Sequence, residues 1–145
     1  MIRTEACGGR TSLMAAMPDQ LRLCLEMGGN TTLMVWADVD HDMDNPDQLK
    51  EEFRKVAYEA GITAAQFEQV VFIFAEDRLE NWIQFLNTGT TDESQEGPRL
   101  KYDREAADAA RKLAKHCSSG APIPQIPPSL DWSCRNWRKL VQKMR

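Results

Sequence analysis

The sequence predicts an α/β domain built on a small, open, mostly parallel sheet flanked by helices, with a helical C-terminal extension. Two observations carry this. Residues 31–38 and 69–75 are apolar runs with little alternation, bounded by turn formers, as expected of strands covered on both faces. Each run passes within a few residues into a helical pattern. That order, with tight junctions, implies parallel strands joined by right-handed crossovers.

From the N-terminus, residues 2–7 read as a short strand, and Gly8-Gly9-Arg10 turns the chain. Thr11 or Ser12 can cap a helix in which Leu13, Met14, Met17, Leu21, Cys24 and Leu25 recur at spacings of three and four. Pro18 should kink or restart it, and Gly28-Gly29-Asn30 should end it. The run 31–38 follows. Asn45 then caps a second helix with Pro46 in its first turn and Leu49, Phe53, Val56, Ala57 and Ala60 on the inner stripe, stopped by Gly61. The next strand leads into a short amphipathic helix over residues 76–86, in which Trp82 faces the core. Counting the N-terminal run, the sheet has three strands.

Beyond this core, assigned to residues 1–90, residues 91–102 form a polar, mobile loop. Residues 103–145 form a basic helical extension packed on the core. A helix over 103–117 is expected to turn Ala106, Ala107, Ala110, Leu113 and Ala114 inward. A proline-rich connector follows, and a final helix packs through Trp137, Leu140 and Val141.

Length and charge narrow the functional classes. With 145 residues and 42% hydrophobic content the chain suits one domain with one core. No apolar run spans a membrane and no signal pattern opens the chain, so a cytoplasmic location is expected. The net charge of -4 is segregated: residues 1–97 hold 7 Lys/Arg against 18 Asp/Glu, and residues 98–145 hold 11 against 4. The basic end can contact nucleic acid or an acidic partner, or the two halves can attract each other within the fold. Cys7, Cys24, Cys117 and Cys134 form no CxxC pair, which favours reduced structural thiols. His116 and Cys117 do not fit zinc spacing.

The chemically suggestive feature is Asp38, Asp40, Asp42 and Asp44 at the end of the first apolar strand. Residues two apart in a strand share a face, so Asp38 and Asp40 can aim at one point beyond the carboxyl edge, where open α/β sheets bind ligands. Converging carboxylates repel, and a hard cation such as Mg²⁺ or Mn²⁺ relieves the repulsion. A solvated loop before a helix N-terminus is the plain alternative. A calcium loop fits poorly, because Met43 stands where glycine is needed and Leu49 where glutamate is needed. His41 reads as a surface histidine. Glu80 can face the same rim or be an ordinary exposed acid, and Arg10 can hold a phosphate or pair with a nearby acid. Walker-type loops, GxSxG and HExxH are absent, which argues against P-loop, serine-hydrolase and zincin chemistry.

Cys7-Gly8-Gly9-Arg10, Trp36-Ala37-Asp38-Val39-Asp40 and the run from Ala75 through Glu76, Glu80 and Asn81 to Trp82 resemble the TOPRIM-like proteins of bacteria. The similarity is to short families with GGR, DxD and ExW-type elements, over about residues 3–90. It implies a Mg²⁺-dependent fold acting on nucleic acid phosphodiesters, as a nuclease component in DNA repair or phage defence. By that likeness Asp38 and Asp40 hold the metal, with Asp42 as helper, and an ATPase is an expected protein partner. The family's first-strand glutamate, its proton-transfer group, has no match. Glu5 stands on what answers to the second strand. Glu80 or a partner chain must supply the proton, or the domain is a non-catalytic accessory subunit.

Overall fold

A computed structural model of the chain describes residues 3–39, 45–76, 79–95, 98–119 and 122–143. The order is α1 (Arg10–Met27), β1 (Met34–Val39), α2 (Pro46–Glu59), α3 (Ala64–Phe67), β2 (Val71–Glu76), α4 (Leu79–Thr88), α5 (Asp103–Ser119) and α6 (Pro128–Lys143). The α/β class and the parallel pairing are as expected. The sheet among the described residues has two strands, β1 beside β2, with Asp38 opposite Ala75 and Val39 opposite Glu76.

The strand expected over residues 2–7 does not form in its described part, residues 3–7. Arg3, Thr4, Glu5 and Ala6 are exposed, so the segment has almost no apolar face to bury, and burial is what drives an edge strand onto a sheet. The α1 helix begins after Gly9 rather than at Thr11 or Ser12, with the Leu13 amide donating to the Gly9 carbonyl at 2.9 Å. Pro18 lies inside a continuous helix and is buried there. The start of α2 is as predicted: Asn45 Oδ1 accepts from the Gln48 amide at 3.0 Å and Pro46 opens the helix. The short α3 helix was not foreseen, although Thr63 and Gln66 make a reciprocal capping box.

Both faces of β2 are covered, which accounts for its unbroken apolar run. Phe72 and Phe74 point to one side, where they meet Phe53 of α2 and Trp132 of α6; adjacent ring centroids lie 5.3–5.8 Å apart. Val71, Ile73 and Ala75 point to the other and pack with Trp82, Phe85 and Leu130. On that second side α5 turns Ala106 and Leu113 onto the core as expected, but not the rest of the expected stripe. Ala109 and Cys117 are buried, whereas Ala107, Ala110 and Ala114 are exposed. The alanines cover an arc of the helix wider than the stripe that packs, so their pattern alone does not fix the centre of that stripe. Cys117 and Cys134 are joined in a disulfide between α5 and α6, correcting the expectation of reduced thiols at those two positions. Cys7 and Cys24 are free. The pair lies 17 residues apart on two packed helices, a juxtaposition that no local spacing encodes.

The outer edge of β2 is closed by a helix instead of a strand. The Val71 amide donates to the Leu33 carbonyl at 3.0 Å, so alternate amides, those of Phe74 and Glu76, point away from β1. Ser133 Oγ accepts from the Phe74 amide at 2.9 Å and donates to the Phe74 carbonyl at 3.0 Å. Ser129 Oγ accepts from the Glu76 amide at 3.1 Å. The two serines are four apart, hence on one face of α6. Among the described residues no helix is long and apolar enough to cross a membrane.

Two outcomes test this arrangement. Ser133→Ala leaves the Phe74 amide and carbonyl buried without their partner, and urea unfolding should show a loss of about 1–3 kcal/mol. Denatured, unreduced protein should titrate two free thiols, rising to all four cysteines after reduction.

Candidate functional site

The parallel register brings Asp38 to the carboxyl end of β1, where it is exposed. On the other side of a gap, Gly8 and Gly9 take positive φ values of 73° and 146°, conformations that glycine adopts without strain. The turn they make sets Arg10 as the first residue of α1. The two segments enclose a cleft of about 350 Å³ lined by Glu5, Cys7, Gly9, Arg10, Trp36 and Asp38 among others. Trp36, 50% exposed, forms one wall. The α1 N-terminus opening on this cleft has no side-chain cap and no acidic residue in its first turn, so its positive dipole end faces the cleft and the acids that line it. Glu5 accepts from Gln20 Nε2 at 3.1 Å, which ties the N-terminal segment to α1.

Of the residues singled out from sequence, Arg10 and Asp38 therefore share one cleft, together with Glu5. Asp40, His41, Asp42 and Asp44 lie outside the described residues. Glu80 is in the first turn of α4, partly buried, and does not line the cleft. Among the described residues no group of three or more His, Cys, Asp or Glu gathers to hold a metal. The donor on hand, an exposed aspartate carboxylate, is a hard oxygen ligand of the kind Mg²⁺ and Mn²⁺ prefer.

A second polar centre was not signalled by the sequence. Glu93, from the segment between α4 and α5, is buried at 8% exposure. One of its oxygens accepts from Ser129 Oγ, and the other accepts from the Ser129 amide at 3.3 Å. Ser129 Oγ also accepts from Trp82 Nε1 at 2.9 Å. Glu76, at the end of β2, is the acidic neighbour of Glu93. Burial raises the Glu93 carboxyl above the ordinary glutamate value; the Ser129 bonds oppose this and the Glu76 carboxylate reinforces it. The segment is also anchored by Thr91 Oγ1 donating to Asn81 Oδ1 at 3.1 Å and by Asn81 Nδ2 donating to the Gln95 carbonyl at 3.0 Å. Glu93 stands in a polar stretch, 36 residues from its partner Ser129, so nothing in the sequence separated it from a surface acid.

No protein-family model, curated protein or solved structure matches this chain, and the site rests on its own residues.

The Glu93 shift has a defined sign. A folded-state value raised above the unfolded one contributes stability that is complete below the ordinary glutamate range, about pH 4, and is lost as pH rises through the folded value. Between pH 4 and pH 8, taken as about the limits of a practical titration, the unfolding free energy of the wild type should fall relative to that of Glu93→Gln. Parallel pH profiles for the two proteins would count against this assignment.

Proposed function

We propose that the cleft between α1 and β1 is a divalent-cation-dependent site for phosphodiester chemistry on nucleic acid, of the TOPRIM-like kind. The observation that carries the reading is that Glu5 and Arg10 from the N-terminal segment and Asp38 from the end of β1 line one cleft. Asp38 is the first of the acidic run and offers a carboxylate to Mg²⁺ or Mn²⁺; Asp40 and Asp42 belong to the same run. Arg10 presents a planar cationic fork beside the α1 N-terminus, a combination suited to a phosphate oxygen. Such a cation, when bound, supplies charge neutralisation for the phosphodiester. Glu5 stands in the cleft as a proton-transfer candidate, and Glu80 remains a second one from outside it. Exposed Arg104, Arg111, Lys112 and Lys115 on α5 give the C-terminal helices a cationic surface for a nucleic acid backbone.

A specific observation also favours an accessory subunit that binds a protein partner, an ATPase among the candidates. A second cleft of about 200 Å³ is almost wholly apolar, walled by Trp36, Leu113, Trp137 and the Cys117–Cys134 region. Exposed tryptophan beside an apolar hollow is typical of protein interfaces.

Calorimetric titration with Mg²⁺ and Mn²⁺, combined with nicking of supercoiled DNA, separates the two. The first reading expects cation binding and cation-dependent nicking that both vanish in Asp38→Ala. Arg10→Ala should keep the cation and lose about tenfold or more in nicking, the worth of a charge-assisted hydrogen bond. Chelation should abolish the activity. Absence of cation binding in the wild type, with stable association of another protein, would instead favour the accessory role.

A further inference from the structure

The exposed face of β1 joins the polar cleft to the apolar one. Along this strand Val35, Ala37 and Val39 pack into the core that α2 also enters, so Met34, Trp36 and Asp38 turn to the opposite face. Trp36 stands opposite Ile73 and Asp38 opposite Ala75. Two residues along a strand are about 6.6 Å apart, and over that step the surface changes character. At Asp38 it is the polar cleft with Arg10; at Trp36 it becomes the apolar hollow walled by Ile73, Trp82, Leu113 and Trp137. We infer that this hollow is a stacking site for one unpaired nucleobase, and that the substrate of the cleft is therefore single-stranded nucleic acid. The inference rests on the nucleic-acid reading of the cleft, whose substrate class it specifies.

Size, wall chemistry and charge each favour a base. The hollow has a volume of about 200 Å³, room for one planar ring, since apolar cavities of about 150 Å³ accept benzene. Trp36 is half-exposed, which leaves much of its indole open to a ring, while Trp82 is buried as the back wall. The polar group in the lining, Ser133 Oγ, is already bonded to Phe74. A base would therefore be held by stacking, with no reading of its edges, and the site should tolerate sequence. A base inside a duplex is paired and stacked between its neighbours, so the hollow selects single strands. The Cys117–Cys134 disulfide ties together α5 and α6, whose residues wall the hollow. The flanks are cationic. On α5, Arg111, Lys112 and Lys115 are exposed within one turn of the wall residues Ala110 and Ala114, and across the step Arg10 lines the cleft. Asp108 pairs with Arg111 at 2.7 Å and offsets part of that charge. Such flanks complement the phosphates that adjoin an inserted base, whereas an apolar anchor from a protein needs no cations beside it.

The test is the affinity of the whole chain for a labelled oligothymidylate of about twelve nucleotides, measured by fluorescence anisotropy at low salt in the presence of a chelator. Wild type should bind it about tenfold more tightly than a duplex of the same length, and about tenfold more tightly than an abasic strand that keeps the phosphates and lacks the rings. Trp36→Ala, which removes the stacking ring, and Ala114→Phe, which fills the hollow, should each lose about tenfold. Trp36→Phe should keep most of the affinity. Equal binding of the three ligands by wild type would overturn the base site, as would full affinity in Trp36→Ala. A chain that binds no oligonucleotide and instead captures a protein through Trp36 would also overturn it. The abasic comparison uses wild type alone, so it decides the matter should a variant fail to fold. Because the chelator removes any cation, the outcome is separable from the chemistry of the cleft. Single-strand preference without cation-dependent nicking would sink the phosphodiester reading and keep the base site; nicking with indifference to the abasic change would do the reverse.

Discussion

The fold depends on how the outer edge of β2 is satisfied. A two-stranded parallel ribbon leaves half the polar groups of its buried strand without a ladder, and such groups are costly to bury unpaired. Here α6 supplies hydroxyls in place of a third strand: Ser133 bonds both the amide and the carbonyl of Phe74, and Ser129 takes the amide of Glu76. This lets β2 be the most buried element of the chain while the sheet stays narrow. It also fixes α6 close enough for Trp132 to stack on Phe74 with centroids 5.3 Å apart and for its indole to donate to Asp47 of α2 at 2.8 Å. One helix thereby joins both faces of the sheet.

The opposite edge is treated differently. Along β1 no described strand pairs with the outward backbone, and residues 5–10 stand off from it across the cleft that holds Glu5, Arg10 and Asp38. The asymmetry has a chemical consequence. A closed edge gives rigidity where the hydrophobic packing is concentrated, and an open edge leaves room for a ligand beside the carboxyl end of the strand, the position at which parallel sheets generally bind. Trp36 lies between the polar cleft and the apolar one, since it lines both. Occupation of either should therefore be felt at the other.

Around Ser129 the structure concentrates bonds from four parts of the chain. Its hydroxyl meets Glu76, Trp82 and Glu93, and its amide meets Glu93 again. Every lone pair and proton of that hydroxyl is used, and its bonds help to satisfy the buried carboxylate of Glu93.

Much of the architecture was legible in the residues themselves. The unbroken apolar run ending at Ala75, the Asn45-Pro46 start of α2 and the burial of Trp82 follow from local pattern, because strand burial, helix capping and amphipathic spacing are encoded within a few positions. Asp38 at a strand terminus and Arg10 after a glycine turn were likewise readable as separate features. Their meeting in one cleft with Glu5 was not, nor were the Cys117–Cys134 bond, the serine-closed edge and the pairing of Glu93 with Ser129. These depend on which helix packs against which edge, and separations of 17 to 59 residues leave no local trace. Local propensity determines the elements; the positions at which distant polar groups meet are set only when the apolar faces have chosen their partners.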